Sequence, residues 1–225
     1  MASGKTSGKT AVLLGASGLV GGFCLQALLD DADYARIVLL NRRELPIVPS
    51  PRLIQKTVSF ASLSPADFAG AEDILCALGT TIRKAGSQEA FRRVDLEYPL
   101  TAARQAHQAG AKQFVLVSSE GADAVSKNFY LRTKGELEQE IGKLGFRAVH
   151  IFRPSLLLGK RPEFRLGERV ITSVAPLLNL AMFGGLRRYR AIPAATVGKA
   201  MVAAARQGKN GTLIYEYDQI IGLAA

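Results

Sequence analysis

Residues 11 to 29 carry the feature that most constrains the fold. A short apolar run, Val12-Leu13-Leu14, leads into Gly15-Ala16-Ser17-Gly18-Leu19-Val20-Gly21 and a further apolar stretch through Leu29. So apolar a segment resembles a membrane span, but glycines at 15, 18, 21 and 22 break it where a turn is needed. The pattern predicts a strand, a tight turn and a helix from about Leu19. Gly15 lets the chain turn sharply, Gly18 lets the backbone approach a ligand, and Gly21 lets the helix pack close to the sheet; each task disfavours a Cβ. Backbone amides at the helix start, around Ser17, Leu19 and Val20, then face an anion. Gly15, Ser17, Gly18, Leu19 and Val20 are accordingly candidate contacts to the pyrophosphate of a dinucleotide. The spacing, G-x-x-G-x-x-G, is one residue longer than the common G-x-G-x-x-G fingerprint. Upstream, Gly4-Lys5-Thr6-Ser7-Gly8-Lys9-Thr10 imitates a phosphate loop, yet it has three residues between its glycines where four are required and it precedes the first strand.

Along the rest of the chain, short β-branched or leucine-rich runs alternate with longer helical patterns. The runs are Ala11 to Leu14, Arg36 to Leu40, Leu53 to Val58, Asp73 to Leu78, Lys112 to Ser118, Arg147 to Phe152 and Thr212 to Tyr217. Helices are expected over Leu19 to Leu29, Ser87 to Ala109, Tyr130 to Leu144, Leu166 to Leu180 and Ala194 to Gln207. Within the second, Phe91, Val94, Tyr98 and Ala102 recur at helical spacing and read as a core stripe. This alternation predicts an α/β doubly wound parallel sheet, a Rossmann fold of about seven strands with helices on both faces and a ligand site outside the carboxyl ends of the strands.

With 48% hydrophobic residues and 22 glycines among 225, the chain can bury one core, and a disordered or collagen-like chain is excluded. Residues 1–10 have no long apolar core and read as a flexible tail, leaving 11–225 as one domain with a small C-terminal substrate region. Cys24 and Cys76 sit in apolar runs without metal-ligand spacing; they read as buried thiols of a reducing compartment, with a cytoplasmic location expected and no metal site. No membrane span is predicted, because the late apolar stretch Val170 to Leu186 contains Pro176, Asn179 and paired glycines. That stretch is open to three readings: a substrate lid, the contact of a homodimer, or core.

The formal charge of +10 suits an anionic ligand. Seven basic residues against two acidic ones between Lys160 and Arg190 hold half of the excess, as a solvated face or near a phosphate-bearing ligand. No repeat or interleaving of aromatic and basic residues supports a nucleic-acid module, so a small-molecule substrate is the expected partner. After the second strand stands Asn41-Arg42-Arg43, where an NAD site would carry a carboxylate for the adenosine ribose. A guanidinium at Arg42 would meet a 2′-phosphate through paired charge-assisted hydrogen bonds, which favours NADP(H). Glu44 is the counterargument, and NAD(H) stays open as the alternative.

Ser118 and Ser119 end the fifth strand, and Tyr130 and Lys134, four apart, share one face of the next helix. An unperturbed tyrosine has a pKa of about 10, which a neighbouring cation lowers. A serine hydroxyl holding a substrate oxygen, a tyrosine exchanging its proton and a lysine stabilising the phenolate make up a division of labour for carbonyl reduction or alcohol oxidation. Strand alternation sends Ser118 and Ser119 opposite ways, so only one reaches the substrate.

Taken together, these stretches resemble the short-chain dehydrogenase/reductase superfamily, in its atypical Tat-interacting-protein-like branch. The resemblance is carried by the Gly15 to Gly21 turn, Asn41-Arg42-Arg43, Cys76 to Thr81 with Lys84-Ala85-Gly86, and Phe91-Arg92-Arg93-Val94-Asp95. It continues through Ser118 to Asp123, Tyr130 to Glu136 and Arg153-Pro154-Ser155. It implies a catalytic triad of Ser118, Tyr130 and Lys134, with Lys134 also bonding the nicotinamide ribose. It further implies that Leu78, Gly79 and Thr80 line the cofactor and that the loop after Pro154 borders the nicotinamide. Relatives often carry an acidic residue near the adenine at the end of the third strand; Val58-Ser59-Phe60 stands there, so no adenine contact is assigned. The region after Pro154 is too short for the separate substrate domain of nucleotide-sugar epimerases. The branch also includes partner-binding proteins, so an NADP(H)-sensing regulatory protein with little turnover is the alternative to an oxidoreductase.

Overall fold

The computed structural model describes residues 8–159 and 182–225. In chain order these form β1 (Lys9–Leu14), α1 (Leu19–Asp30), β2 (Tyr34–Asn41), β3 (Leu53–Thr57), β4 (Asp73–Cys76), α2 (Ile82–Ala85) and α3 (Gln88–Arg92). After a π turn at Arg93–Glu97 come α4 (Tyr98–Gln108), β5 (Gln113–Val117), α5 (Phe129–Gly142), β6 (Ala148–Phe152) and β7 (Leu157–Leu158). The described chain ends with β8 (Ile192–Pro193), α6 (Ala194–Arg206), β9 (Gly211–Tyr215) and α7 (Tyr217–Ala224).

Seven strands make one sheet in the order β3-β2-β1-β4-β5-β6-β9, and every pairing in it is parallel. Strands paired in parallel on both sides must have both faces covered, and the residues follow that rule with a period of two. Leu13, Leu39, Leu75 and Val115 join the core under α1 and α6. Val12, Leu14, Leu40, Ile74, Phe114 and Leu116 join the opposite core under α4 and α5. The order reverses between β1 and β4, which opens the crevice at the carboxyl ends of these strands.

A largely buried polar chain runs across six strands of the sheet. The Asp73 carboxylate accepts from Tyr34 Oη at 2.7 Å and from Gln113 Nε2 at 2.6 Å, and Lys9 Nζ lies 3.3 Å from it. His150 bridges Gln113 Oε1 at 3.2 Å and Tyr215 Oη at 2.9 Å. Because that Gln113 oxygen can only accept, the ring is the tautomer that donates from Nε2 and accepts the tyrosine hydroxyl at Nδ1. Burial pushes the His150 pKa down to about 4, against the pull of Asp73.

The seven expected strands are all present, with ends shifted by up to two residues. β1 starts at Lys9, where Lys9 N bonds Asp33 O at 2.8 Å. The final run stops as strand at Tyr215, because Glu216 and Gln219 form a capping box that starts α7. The helix expected over Ser87 to Ala109 is interrupted by the π turn. Pro99 has no N–H for the Asp95 carbonyl and its ring crowds that group, so a wider turn relieves the clash. The short α2 and the parallel pair β7 and β8 were not expected from the sequence. Residues 1–7 of the expected tail, the Leu166 to Leu180 helix and most of the basic late segment lie outside the described residues. No described helix is long and apolar enough to cross a membrane.

Candidate active site

At the carboxyl end of β1 the turn is built from crowded backbone. Gly15 has φ +86°, and a Cβ there would fall 2.6 Å from the Ala77 backbone. A Cβ on Gly21 would fall 2.0 Å from Gly15 O, so the helix enters directly over the turn. Gly18 N donates to Gly15 O at 2.9 Å, and no side chain caps the start of α1 at Gly18. Bare amides in a glycine turn at a twelve-residue helix suit the pyrophosphate of a dinucleotide.

Beside this turn β2 ends at Asn41, which is buried and whose Nδ2 has no partner among the described residues. Arg42, Arg43 and Glu44 follow, all exposed, and no hydrogen bond or ion pair joins Arg42 to a described side chain. A cavity of about 580 Å³ lies beyond them, between Glu44 and Gln55 along edge strand β3, and none of the triad residues lines it.

The segment after β4 is drawn toward the helices. Leu78 and Thr80 are half-buried and Gly79 is exposed. Thr80 N donates to Asp95 Oδ2 at 2.8 Å, and Asp95 Oδ1 lies 2.7 Å from Lys134 Nζ. Both charged side chains are almost fully enclosed, at 5% exposure for Lys134 and 1% for Asp95. Burial is the largest single influence and depresses the Lys134 ammonium, but Asp95, Tyr130 and Cys76 together outweigh it and hold its pKa above the ordinary lysine value. A Cβ on Gly79 would stand 3.9 Å from Lys134 Nζ, so the Gly79 backbone and the lysine are neighbours. Asn128 starts α5 by accepting from Leu131 N at 3.2 Å. One turn before Lys134, the half-buried Tyr130 packs its ring 5.6 Å from the buried Phe91.

Ser118 takes a different direction. It is buried, and its hydroxyl donates to Glu138 Oε1, while Arg153 grips the same carboxylate through Nη2 and, at 3.1 Å, through Nε. Glu138 continues the Tyr130 and Lys134 face of α5, but stands eight residues from Tyr130, about 12 Å along the helix. No hydrogen bond links Ser118 to Tyr130 among the described residues. Ser119 is half-buried, and its hydroxyl donates only to the adjacent Glu120 carbonyl, at 3.3 Å. The loop after β6 closes the same end of the sheet. Glu120 N donates to the buried Pro154 carbonyl at 3.0 Å, and a Cβ on Gly159 would stand 2.8 Å from Leu19 Cδ1 in the first turn of α1.

Asp95, Glu138 and Arg153 were missed as site residues from the sequence. Asp95 lies inside the expected apolar helix pattern, where it is buried in the π turn while Val94 is only half-buried. The spacing of Glu138, four residues beyond Lys134, was the available signal. Three arginines of the basic segment are described and engaged locally: Arg187 with Asp218 at 2.6 Å, Arg188 with Glu120 at 3.4 Å, and Arg190 with the Met182 carbonyl at 3.0 Å. No cluster of potential metal ligands occurs among the described residues.

No family model matches the chain. Individual proteins do. It is 37% identical over 203 residues to the rat Protein HTATIP2, covering 88% of this chain and 81% of that one. It is 34% identical to Protein FMP52, mitochondrial, of Candida albicans, covering 89% and 90%, and 36% identical to the Aspergillus niger protein of that name, covering 88% of each. Among solved structures, MoeE5 in complex with UDP-glucose and NAD superimposes with a TM-score of 0.69 at 15% identity, over 96% of this chain and 81% of that one. A putative NAD-dependent epimerase/dehydratase from Bacillus halodurans does so with a TM-score of 0.68 at 20% identity, over 96% and 99%. These structural likenesses establish the Rossmann fold.

The cytoplasmic location expected from the sequence is corrected by the fungal relatives, which are named mitochondrial. Cys24 and Cys76 are both free and buried. With more than a third of its residues identical to HTATIP2 over most of both chains, the protein belongs to the HTATIP2-like family of atypical short-chain dehydrogenase/reductases.

Proposed function

We propose that the protein is an NADP(H)-dependent oxidoreductase acting on a small carbonyl or alcohol. The observation that carries this reading is the Lys134 ammonium, enclosed beside Gly79 and one helical turn from Tyr130. Gly15, Ser17, Gly18, Leu19 and Val20 would hold the pyrophosphate, Arg42 a 2′-phosphate, and Leu78, Gly79, Thr80, Lys134 and Pro154 the nicotinamide half. The bound dinucleotide supplies or accepts a hydride. Tyr130 exchanges a proton at Oη with the substrate oxygen, and Lys134 stabilises the phenolate by its charge. Of the two serines, Ser118 is engaged by Glu138 and Ser119 has the freer hydroxyl, so Ser119 is proposed to hold the substrate oxygen in place of the expected Ser118.

Titration with NADPH and NADH, followed by cofactor fluorescence and thermal shift, tests the site. A ligand at one hundred times its dissociation constant adds about 2.7 kcal/mol of stability. Failure of both dinucleotides to bind overturns the reading. The engagement of Ser118 favours a second reading, an NADP(H)-sensing protein without turnover. NADPH binding that leaves every small aldehyde and ketone unreduced supports that alternative.

A further inference from the structure

Phe91 in α3 and Asp95 in the π turn that continues it are four apart, and Tyr130 and Lys134 are four apart on α5. The two pairs face each other: Phe91 against the Tyr130 ring at 5.6 Å, and Asp95 against the Lys134 ammonium at 2.7 Å. The four-residue spacing puts both members of each pair on one face, and within the π turn Asp95 is buried while Val94 is only partly so. With its other oxygen Asp95 receives the Thr80 amide at 2.8 Å. One carboxylate thus spans the β4 loop and α5. A buried ion pair adds little net stability, since desolvation offsets much of its attraction, so stability alone is a poor reason for this arrangement.

We propose that Asp95 is a positioning residue, holding the Lys134 ammonium and the Gly79-Thr80 backbone at one spacing so that both meet the nicotinamide ribose together. The proposal rests on the oxidoreductase reading of Lys134 for its purpose, though not for its test. Asp95 also keeps Lys134 charged against burial. Removing the Asp95 charge leaves the burial penalty in force, so Lys134 then loses its proton at lower pH. The groups facing Lys134 are Asp95, Tyr130 and the buried Cys76.

The test follows lysine side chains by NMR in protein carrying carbon-13-labelled lysine, with the Lys134 signal assigned by its loss in Lys134→Met. In the unsubstituted protein Lys134 is expected to titrate above ordinary lysines. In Asp95→Asn its midpoint is expected to fall below them, and in Asp95→Glu the midpoint is retained. In parallel, NADPH affinity is expected to weaken roughly tenfold between pH 7 and 9 in Asp95→Asn only, the worth of a hydrogen bond from a charged donor. A Lys134 midpoint unmoved in folded Asp95→Asn, or an Asp95→Asn affinity that follows the unsubstituted profile, overturns the proposal. If Asp95→Asn does not fold, the unsubstituted protein decides: a Lys134 titrating below ordinary lysines refutes the pairing. Absence of NADPH binding to the unsubstituted protein sinks the oxidoreductase reading instead, while the lysine titration still reports on Asp95.

Discussion

Ser118 gives its hydroxyl hydrogen to Glu138, two helical turns from the tyrosine it was expected to assist. The same carboxylate is held by Arg153, so strand β5, helix α5 and the end of β6 meet at one buried charge. The Ser118→Ala change leaves a buried carboxylate short of one donor and is expected to cost about 1 to 3 kcal/mol of stability, read by urea unfolding. Ser119→Ala is expected to leave stability within about 0.5 kcal/mol and to lower kcat roughly 100-fold, the loss of one aligned donor. The reverse pattern would return the substrate contact to Ser118.

Gly21→Ala puts a methyl 2.0 Å from the Gly15 carbonyl oxygen, and the next nearest atoms are also Gly15 and Ala16 backbone, with no flexible side chain to yield. The helix must lift from the turn. A loss of about 1 to 3 kcal/mol is expected in thermal or urea unfolding, together with weaker NADPH binding because the amides of the turn move.

His150 supplies a pH dependence of stability. Its folded pKa is near 4 and the unfolded value about 6.5. Between these the unfolded chain binds more protons than the folded one, so stability from this group is present above pH 6.5 and is lost as pH falls toward 4. The full loss is about 3 kcal/mol at 1.36 kcal/mol per unit. Urea midpoints at pH 7, 5.5 and 4.5 measure it, and His150→Gln is expected to lack this part of the slope.

Arg42 is exposed beside the buried Asn41 at the end of β2. Arg42→Ala is expected to weaken NADPH binding tenfold or more and to leave NADH binding nearly unchanged, because only the former carries the 2′-phosphate. Equal losses for both dinucleotides would place the arginine elsewhere than at that phosphate.

How much of this was legible in the sequence follows from physical range. Val12-Leu13-Leu14 and the glycines that follow form a local pattern, with Gly21 required by the Gly15 carbonyl and Gly15 by its positive φ and the Ala77 backbone, so strand, turn and helix could be read directly. The central strands could be read because burial on both faces leaves an apolar run in each, while the edge strands β3 and β9 are largely exposed and showed only as short β-prone runs. Asp95 could not, since a carboxylate within an apolar stripe is buried only when paired and its partner lysine lies 39 positions later. Nor could the route taken by Ser118, where alternation separates two serines but only the position of Glu138 on α5 decides which hydroxyl is engaged. Helix α7 was lost because the β-prone Thr212 to Tyr217 run hides the capping box at Glu216.

The central claim is that Tyr130, supported by Lys134, moves a proton in a redox reaction. The measurement that bears on it most directly is NADPH oxidation in the presence of a panel of small aldehydes and ketones, with the unsubstituted protein and Tyr130→Phe compared at equal cofactor saturation. The expected result is turnover by the unsubstituted protein, reduced about 100- to 10,000-fold by Tyr130→Phe with NADPH affinity retained. Undiminished turnover in Tyr130→Phe, or binding of NADPH without reduction of any carbonyl, would contradict it.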